Sequence, residues 1–189
     1  MHKEIEERVL EIDIDKMISK LESLGARKIG EWYQKRYVYD FNPKRENEWI
    51  RLRDTGEEIT LTYKNVEENT TDGTKELEIK VDNFEDTNTL LEILGYKSKA
   101  YQENKRIRYI LDSVEIDIDS WPLIPSYMEI EAKSVQEIKK IEELLEVNEE
   151  KITTLNCQDI YGKIYNIDID NIKKLKFWGF IWKHIMQLK

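Results

Sequence analysis

Charged residues recur at every second position through this chain, and their sign is sorted by stretch. Glu4-x-Glu6-x-Arg8 opens the sequence, Arg51-x-Arg53 and Arg106-x-Arg108 are basic, and Glu115-x-Asp117-x-Asp119 and Glu129-x-Glu131 are acidic. Residues two apart on a β-strand share a face. Each stretch therefore shows charge on one side and apolar residues on the other: Ile50 and Leu52, Ile107 and Tyr109, Val114, Ile116 and Ile118, Met128 and Ile130. Glu7 is the exception, since it shares a side with Ile5 and Val9. Adjacent like charges repel and need counter-ions. Basic strands can clamp a polyanion through charge-assisted, often bidentate bonds. Carboxylates suit hard divalent cations, which take oxygen ligands. A polyphosphate with Mg²⁺ or Mn²⁺ satisfies both sets. The plainer alternative is a sheet whose charged side faces water.

Composition narrows the classes. The chain has 189 residues, 37% of them charged, and a net charge of −9. That length suits one domain with a sizeable core, with room for an appendage. The acidic balance argues against a nucleic-acid polymer as partner, because such binding needs basic excess. Cys157 is the one cysteine; it excludes an intramolecular disulfide, fits a reducing compartment and reads as a buried bystander. His2 and His184 alone leave little material for a histidine-rich zinc site or a Ser-His-Asp triad. No apolar signal core or membrane-spanning run is present, so a cytoplasmic location is expected.

The elements that must position these residues follow in order. After the first strand, Asp13 or Asp15 caps a helix through Leu24, stopped at Gly25. A long strand runs from Lys28 to Phe41. Trp49 to Arg53 and Glu58 to Lys64 flank a hairpin turn at Asp54-Thr55-Gly56. Val66 to Gly73 is a polar loop, and Glu76 to Val81 a strand. A helix covers about Thr87 to Leu94, ending at Gly95. Strands follow over Lys97–Leu111 and Val114–Asp119, joined by Asp112-Ser113. The prolines of Trp121–Pro125 mark a connection before the strand Tyr127–Lys133. Ser134 caps a helix to about Leu145, with Glu137 at capping-box spacing. Thr153 to Tyr165 reads as a helix with Ile160 and Ile164 inward.

An internal echo links two halves. Leu21-Glu22-Ser23-Leu24-Gly25 matches Leu91-Glu92-Ile93-Leu94-Gly95, and ten residues beyond each glycine stand Lys35-Arg36 and Lys105-Arg106. Glu4-x-Glu6-x-Arg8 likewise matches Glu76-x-Glu78-x-Lys80. Pseudo-symmetry with charged faces in equivalent positions is expected.

In the order and spacing of these motifs, the sequence resembles the CYTH domains, or triphosphate tunnel metalloenzymes, over about Met1 to Tyr165. That family includes class IV adenylyl cyclases, thiamine triphosphatases and inorganic tripolyphosphatases. Its opening Glu-x-Glu-x-Lys is similar to Glu4-Ile5-Glu6-Glu7-Arg8, with arginine in the place of lysine. Its Arg-x-Arg strand resembles Arg51-Leu52-Arg53, its hairpin lysine Lys64 and its mid-domain glutamate Glu78. Its Lys-x-Arg resembles Arg106-Ile107-Arg108, its acidic strand Glu115-Ile116-Asp117 and its late Glu-x-Glu Glu129-Ile130-Glu131.

The resemblance implies an α+β fold: an eight-stranded antiparallel β-barrel forming a tunnel with a charged interior, helices packed outside. It implies metal ligands, Mg²⁺ or Mn²⁺, among Glu4, Glu6, Asp117, Glu129 and Glu131. It implies triphosphate contacts from Arg8, Arg51, Arg53, Lys64, Arg106 and Arg108, with Glu78 beside them. Catalytic roles are expected of Glu4, Glu6, Arg8, Lys64 and Asp117. Arginine is a planar fork and lysine a compact charge, so Arg8 can position phosphates differently, with Lys80 or Lys133 as other sources of an ammonium.

The expected activity is hydrolysis of tripolyphosphate, thiamine triphosphate or a nucleoside triphosphate, because no base-specific pocket is evident. The alternatives are a class IV adenylyl cyclase making cyclic AMP and pyrophosphate, and a non-catalytic polyphosphate-binding module. Residues 1–165 form the tunnel domain and 166–189 a helical tail. In that tail Lys173, Lys174 and Lys176 precede Phe177-Trp178-Gly179-Phe180-Ile181-Trp182. It packs on the barrel or on a second subunit, as in a homodimer, with seating on a membrane surface as the other reading.

Overall fold

A computed structural model describes residues 2–66 and 74–177, with side chains from Ile5 onward. The loop expected at 66–73 therefore lies outside the described residues, except Val66, which ends a strand. The tail from 178 to 189 lies outside them too.

Strand-forming alternation yields one sheet of eleven strands. They are β1 (His2–Glu4), β2 (Glu6–Val9), β3 (Arg27–Tyr39), β4 (Glu48–Asp54), β5 (Ile59–Val66), β6 (Thr74–Val81), β7 (Ser98–Leu111), β8 (Val114–Ser120), β9 (Tyr127–Glu131), β10 (Ile152–Thr153) and β11 (Lys174–Leu175). Their spatial order is β1-β6-β5-β4-β3-β7-β8-β9-β2-β10, with β11 on β7. Pairing is antiparallel except for β11 on β7. The eight expected strands correspond to β2 to β9.

The opening strand differs from its expected single run. It breaks at Ile5: His2–Glu4 pair with Thr74–Glu76, whereas Glu6–Val9 pair with Met128–Glu131. One short stretch of chain thus touches both ends of the ladder. Among the described residues the ladder runs from β1 to β10 without closing on itself. β10 takes the second edge of β2, and from Leu77 onward β6 has only β5 as a strand partner among the described residues.

Helices cover the apolar outer face. α1 (Ile14–Ser23) and α3 (Val135–Leu145) pack with β7, β8, β9 and β2 through Leu21, Ile107, Ile116, Met128, Ile130, Ile138 and Ile141. α2 (Phe84–Ile93) covers β3, β4 and β5 through Phe84, Leu91, Tyr39 and Leu52. Asp13, not Asp15, caps α1, accepting from the Lys16 N–H. α2 begins earlier than expected because Asn83 caps it, accepting from the Glu85 and Asp86 N–H groups. The Ser134–Glu137 capping box forms as expected: Ser134 accepts from the Glu137 N–H, and Glu137 from the Lys133 N–H. The two helix ends of the internal echo match closely. Gly25 and Gly95 both adopt positive φ, Ala26 N–H donates to Leu21 O at 3.0 Å, and Tyr96 N–H donates to Leu91 O at 2.9 Å.

The helix expected over Thr153–Tyr165 is instead β10, one helical turn α4 (Cys157–Asp159) and a wide turn, Ile160–Ile164. Asn156 caps that turn and bonds Asp159, limiting the helix to local capping. Ile160 is fully buried but Ile164 is exposed, against expectation. The described part of the expected helical tail holds a 3-10 turn, Ile169–Asn171, and β11, whose neighbours Tyr101 and Gln102 lie beyond the end of β8. These segments seal Leu10, Trp121, Ile124, Tyr127, Tyr161 and Leu175 into a third apolar cluster. No helix among the described residues is long and apolar enough to cross a membrane.

Glu7, which the alternation left on the apolar side, is buried there with an answer from α3. Lys139 Nζ lies 2.8 Å from both Glu7 and Glu142. Burial, reinforced by Glu7, pushes the Glu142 carboxyl up against the pull of Lys139. Lys139→Met should therefore cost about 1–3 kcal/mol of stability near neutral pH. The folded state then binds a proton more tightly than the unfolded chain, so the deficit should shrink as pH falls toward about 5. Urea denaturation of both proteins across that range checks it; a pH-independent deficit would discount the carboxylate pair.

Candidate active site

Residues directly opposite one another in a sheet point to the same side. Two rows across the curled face therefore gather the charged side chains. One reads Val38, Arg51, Thr62, Glu78 outward through β4, β5 and β6. Its counterpart in the other half reads Arg108, Asp117, Glu129, Arg8 outward through β8, β9 and β2. The next pair of rows reads Arg36, Arg53, Thr60 and Arg106, Asp119, Tyr127. Gln34 on β3 stands opposite Asn104 on β7, and these positions are equivalent in the internal echo. A pseudo-two-fold axis thus runs between β3 and β7. Arg51-x-Arg53 is the counterpart of Asp117-x-Asp119, so the halves carry opposite charge. The echo of Glu6 with Glu78 is corrected by two residues: Glu78 occupies the place of Arg8.

The acidic wall is already paired with arginine. Arg106 forks onto Asp119 at 2.8 and 2.6 Å and reaches Asp117 at 2.5 Å. Arg108 forks onto Asp117 at 2.8 and 2.7 Å and contacts Glu115 at 2.7 Å. Arg8 bridges Glu6 at 2.8 Å and Glu129 at 2.7 Å and donates to Leu155 O. Burial pushes the Glu129 carboxyl up, but Arg8 and Arg106 outweigh it and hold it well below the usual carboxylate range. Burial raises Asp119 despite Arg106, and raises Glu115 despite Arg108. Glu131 stands in register with both Glu6 and Glu115, an all-carboxylate row. Among the described residues no group of three or more His, Cys, Asp or Glu is gathered tightly enough to hold an ion by itself. Asp117 and Glu129 turn to the arginines, and the Glu4 side chain is not described.

The basic wall is less fully answered. Glu78 accepts from Thr62 at 2.6 Å and from Arg51 and Arg53 at 3.3 and 3.4 Å. Lys64 lies 3.1 Å from Glu76. The Nε atoms of Arg36, Arg51 and Arg53 are buried without a hydrogen-bond partner among the described residues. Arg51, then burial, then Arg106 and Arg36 pull the Arg53 guanidinium well below its usual pKa. Burial and Arg51 lower Arg36 to about 10. Arg106 acts on Arg53, and Lys64 on Glu129. β5 and β9 are five steps apart in the ladder, roughly 24 Å if it were flat. Their electrostatic contact therefore requires the sheet to curl until the walls face each other.

Every predicted site residue with a described side chain lies on this inner face. Asp117, Asp119 and Arg8 are buried, and Arg51, Arg53, Arg106 and Lys64 retain only 12 to 15% side-chain exposure. These charges are therefore not displayed on an open, water-facing sheet, whereas Glu78, Glu115 and Arg108 at its margins keep about 30% of their side-chain surface. Sequence reasoning left out Arg36, Asn104 and Asp119 as site residues. Arg36 Nη2 contacts Asn104 closely and its guanidinium stacks 4.5 Å over Trp121. The signal was present in Gln34-x-Arg36 and in the acidic triplet ending at Asp119. Cys157 is partly buried near Arg36 and Tyr127, and burial pushes its thiol up to about 12. Glu78→Gln should lower stability by about 1–2 kcal/mol through the loss of a charged acceptor. Added tripolyphosphate should raise the melting temperature of this variant more than that of the parent. Equal shifts in a thermal melt would remove Glu78 as the internal counter-ion.

Comparison with known proteins then places the chain. No curated protein sequence matches it. A conserved hypothetical protein from Pyrococcus furiosus shares the fold, with TM-score 0.71 and 20% identity, over 82% of this chain and 97% of that one. A putative adenylate cyclase from Vibrio parahaemolyticus matches at TM-score 0.71 and 11% identity, covering 85% and 98%. A putative adenylyl cyclase from Hippeastrum, described as having a dominant triphosphatase activity, matches at TM-score 0.58 and 13% identity, covering 88% and 97%. These identities speak to fold alone. The profile of the CYTH domain matches residues 2–161. With opposed charged walls on an antiparallel sheet and that match over most of its length, this chain belongs to the CYTH domain family.

Proposed function

We propose that residues 1–165 form a divalent-metal-dependent triphosphatase, with the facing walls lining a tunnel for a linear triphosphate. The Arg53 guanidinium carries the reading. Three other arginines and burial depress its pKa, and its Nε has no acceptor among the described residues. A cluster of repelling, partly unsatisfied cations in a low-dielectric space gains most from an anion with many oxygens. Arg51, Arg53 and Lys64 would meet phosphate oxygens from one wall and Arg8, Arg106 and Arg108 from the other. Glu78 orients the first pair.

The acidic wall fits a hard cation in its chemistry, since it offers carboxylate oxygens and neither imidazole nor thiolate at the row Glu6, Glu131, Glu115. Glu4, Glu6, Asp117, Glu129 and Glu131 would hold Mg²⁺ or Mn²⁺. Such an ion, when bound, adds positive charge against the phosphate oxygens. The arginines hold the chain in place and stabilise the charge that spreads over the transferring phosphoryl group. Water attacks the terminal phosphorus, its bond to the bridging oxygen breaks, and diphosphate leaves against the basic wall. Glu115, in the carboxylate row with Glu131 and Glu6, would take the proton of that water.

One observation supports a second reading, cyclisation of ATP. A cavity of about 100 Å³ beside Arg36 and Arg51 is lined by Trp49, Trp121, Asn156 and Gln158, room for part of a planar head group. Incubation with tripolyphosphate, thiamine triphosphate and ATP, with Mg²⁺ or Mn²⁺, separates the readings. Phosphate release supports hydrolysis, cyclic AMP with pyrophosphate supports cyclisation, and binding without product supports a binding module. Arg51→Ala or Arg53→Ala should each weaken tripolyphosphate binding by roughly 1.5–3 kcal/mol, tenfold or more, in calorimetric titration. The pair Glu129→Gln and Glu131→Gln should abolish metal-dependent turnover while the fold is retained. Unchanged affinity, or normal turnover, would overturn the corresponding assignment.

A further inference from the structure

β6 leaves an edge that fits only certain partners. β1 covers it at Thr74–Glu76, so Leu77 to Val81 pair with β5 alone among the described residues. Leu77, Glu78, Ile79 and Lys80 are exposed, and Leu77 and Ile79 retain 52% and 53% of their surface. α2, seated on the same outer face beside Val81, also exposes Leu90, Ile93 and Leu94. A bare strand edge with apolar side chains pairs readily with another strand.

We propose that this edge pairs with itself, so that two copies join antiparallel through β6 about a two-fold axis at Ile79. Within Leu77–Val81 only that register sets unlike charges opposite each other. Ile79 stands opposite Ile79 of the second copy, Leu77 opposite Val81, and Glu78 opposite Lys80. The outer face is then apolar against apolar. The inner face sets opposite charges against each other twice, which favours cross-strand pairing. A shift of the axis by one residue, to Glu78 or Lys80, sets like charges against each other at its centre. Lys80 is 79% exposed and its contact in the single chain, Glu58, is itself half exposed, so exchanging it costs little. The sheet becomes continuous across the two copies, and the exposed residues of α2 flank the junction.

Sedimentation equilibrium of the full chain tests this. The expected result is a dimer at micromolar concentration that becomes monomeric, with an unchanged circular dichroism spectrum, in Ile79→Lys. Lys80→Glu should weaken association at least tenfold, since it sets a carboxylate against Glu78 at both charged pairs. A parent chain that stays monomeric at high concentration would overturn the proposal, as would a dimer untouched by Ile79→Lys. A dimer lost on truncation after Phe177 but retained in Ile79→Lys and Lys80→Glu would assign association to the tail instead.

Discussion

Charge that cannot reach bulk water governs this structure. Buried guanidinium and carboxylate groups are tolerable only when each meets an opposite charge or a hydrogen-bonding partner. Arg106 meets that condition with three carboxylates, and Arg8 with two carboxylates and a carbonyl. Arg36, Arg51 and Arg53 face fewer carboxylates, and their Nε atoms, like that of Arg8, are buried without a hydrogen-bond partner among the described residues. The same requirement explains why the outer faces are so plainly apolar. A strand with an ionic inner side anchors itself through its other side, and α1, α2 and α3 supply the surfaces that Ile116, Ile130 and Leu52 need.

The pseudo-two-fold relation makes the charge distribution intelligible. Duplicated strand–helix–strand units would ordinarily repeat the same charge at the same place. Here Arg36 and Arg106 keep the repeat, whereas the strands beyond them invert it, arginine in β4 against aspartate in β8. An enclosed space with two like walls would attract either anions or cations. Opposed walls can hold an anion together with the cation that accompanies it. The pseudo-twofold relation therefore holds in the backbone and helix ends, while the side chains of the two halves carry opposite charge.

Much of this was legible in the sequence because alternation is a local signal. The sorting of sign by strand, the glycine stops at Gly25 and Gly95 and the positive-φ turn at Asp112-Ser113 all follow from residues within a few positions of one another. What was missed depends on partners far along the chain. The break at Ile5 arises because the first nine residues serve β6 and β9 in turn. The two-residue offset between Arg8 and Glu78 is fixed by register with Thr62 and Glu129, which no motif spacing encodes. Arg36 was hidden because its neighbours, Asn104 and Trp121, come from β7 and the connection after β8. Thr153–Tyr165 has helical composition, yet capping by Asn156 and the burial of Ile160 and Tyr161 hold it in short turns.

The N-terminal stretch has a kinetic corollary. A ribosome releases β2 first and its partner β9 more than a hundred residues later. The hairpins of β4, β5 and β6 are local and can form as soon as they emerge, whereas the opening strand waits for β9. Contacts this distant in sequence slow folding. Charges at Glu4, Glu6 and Arg8 disfavour edge-to-edge joining of such an unpaired strand with its own kind.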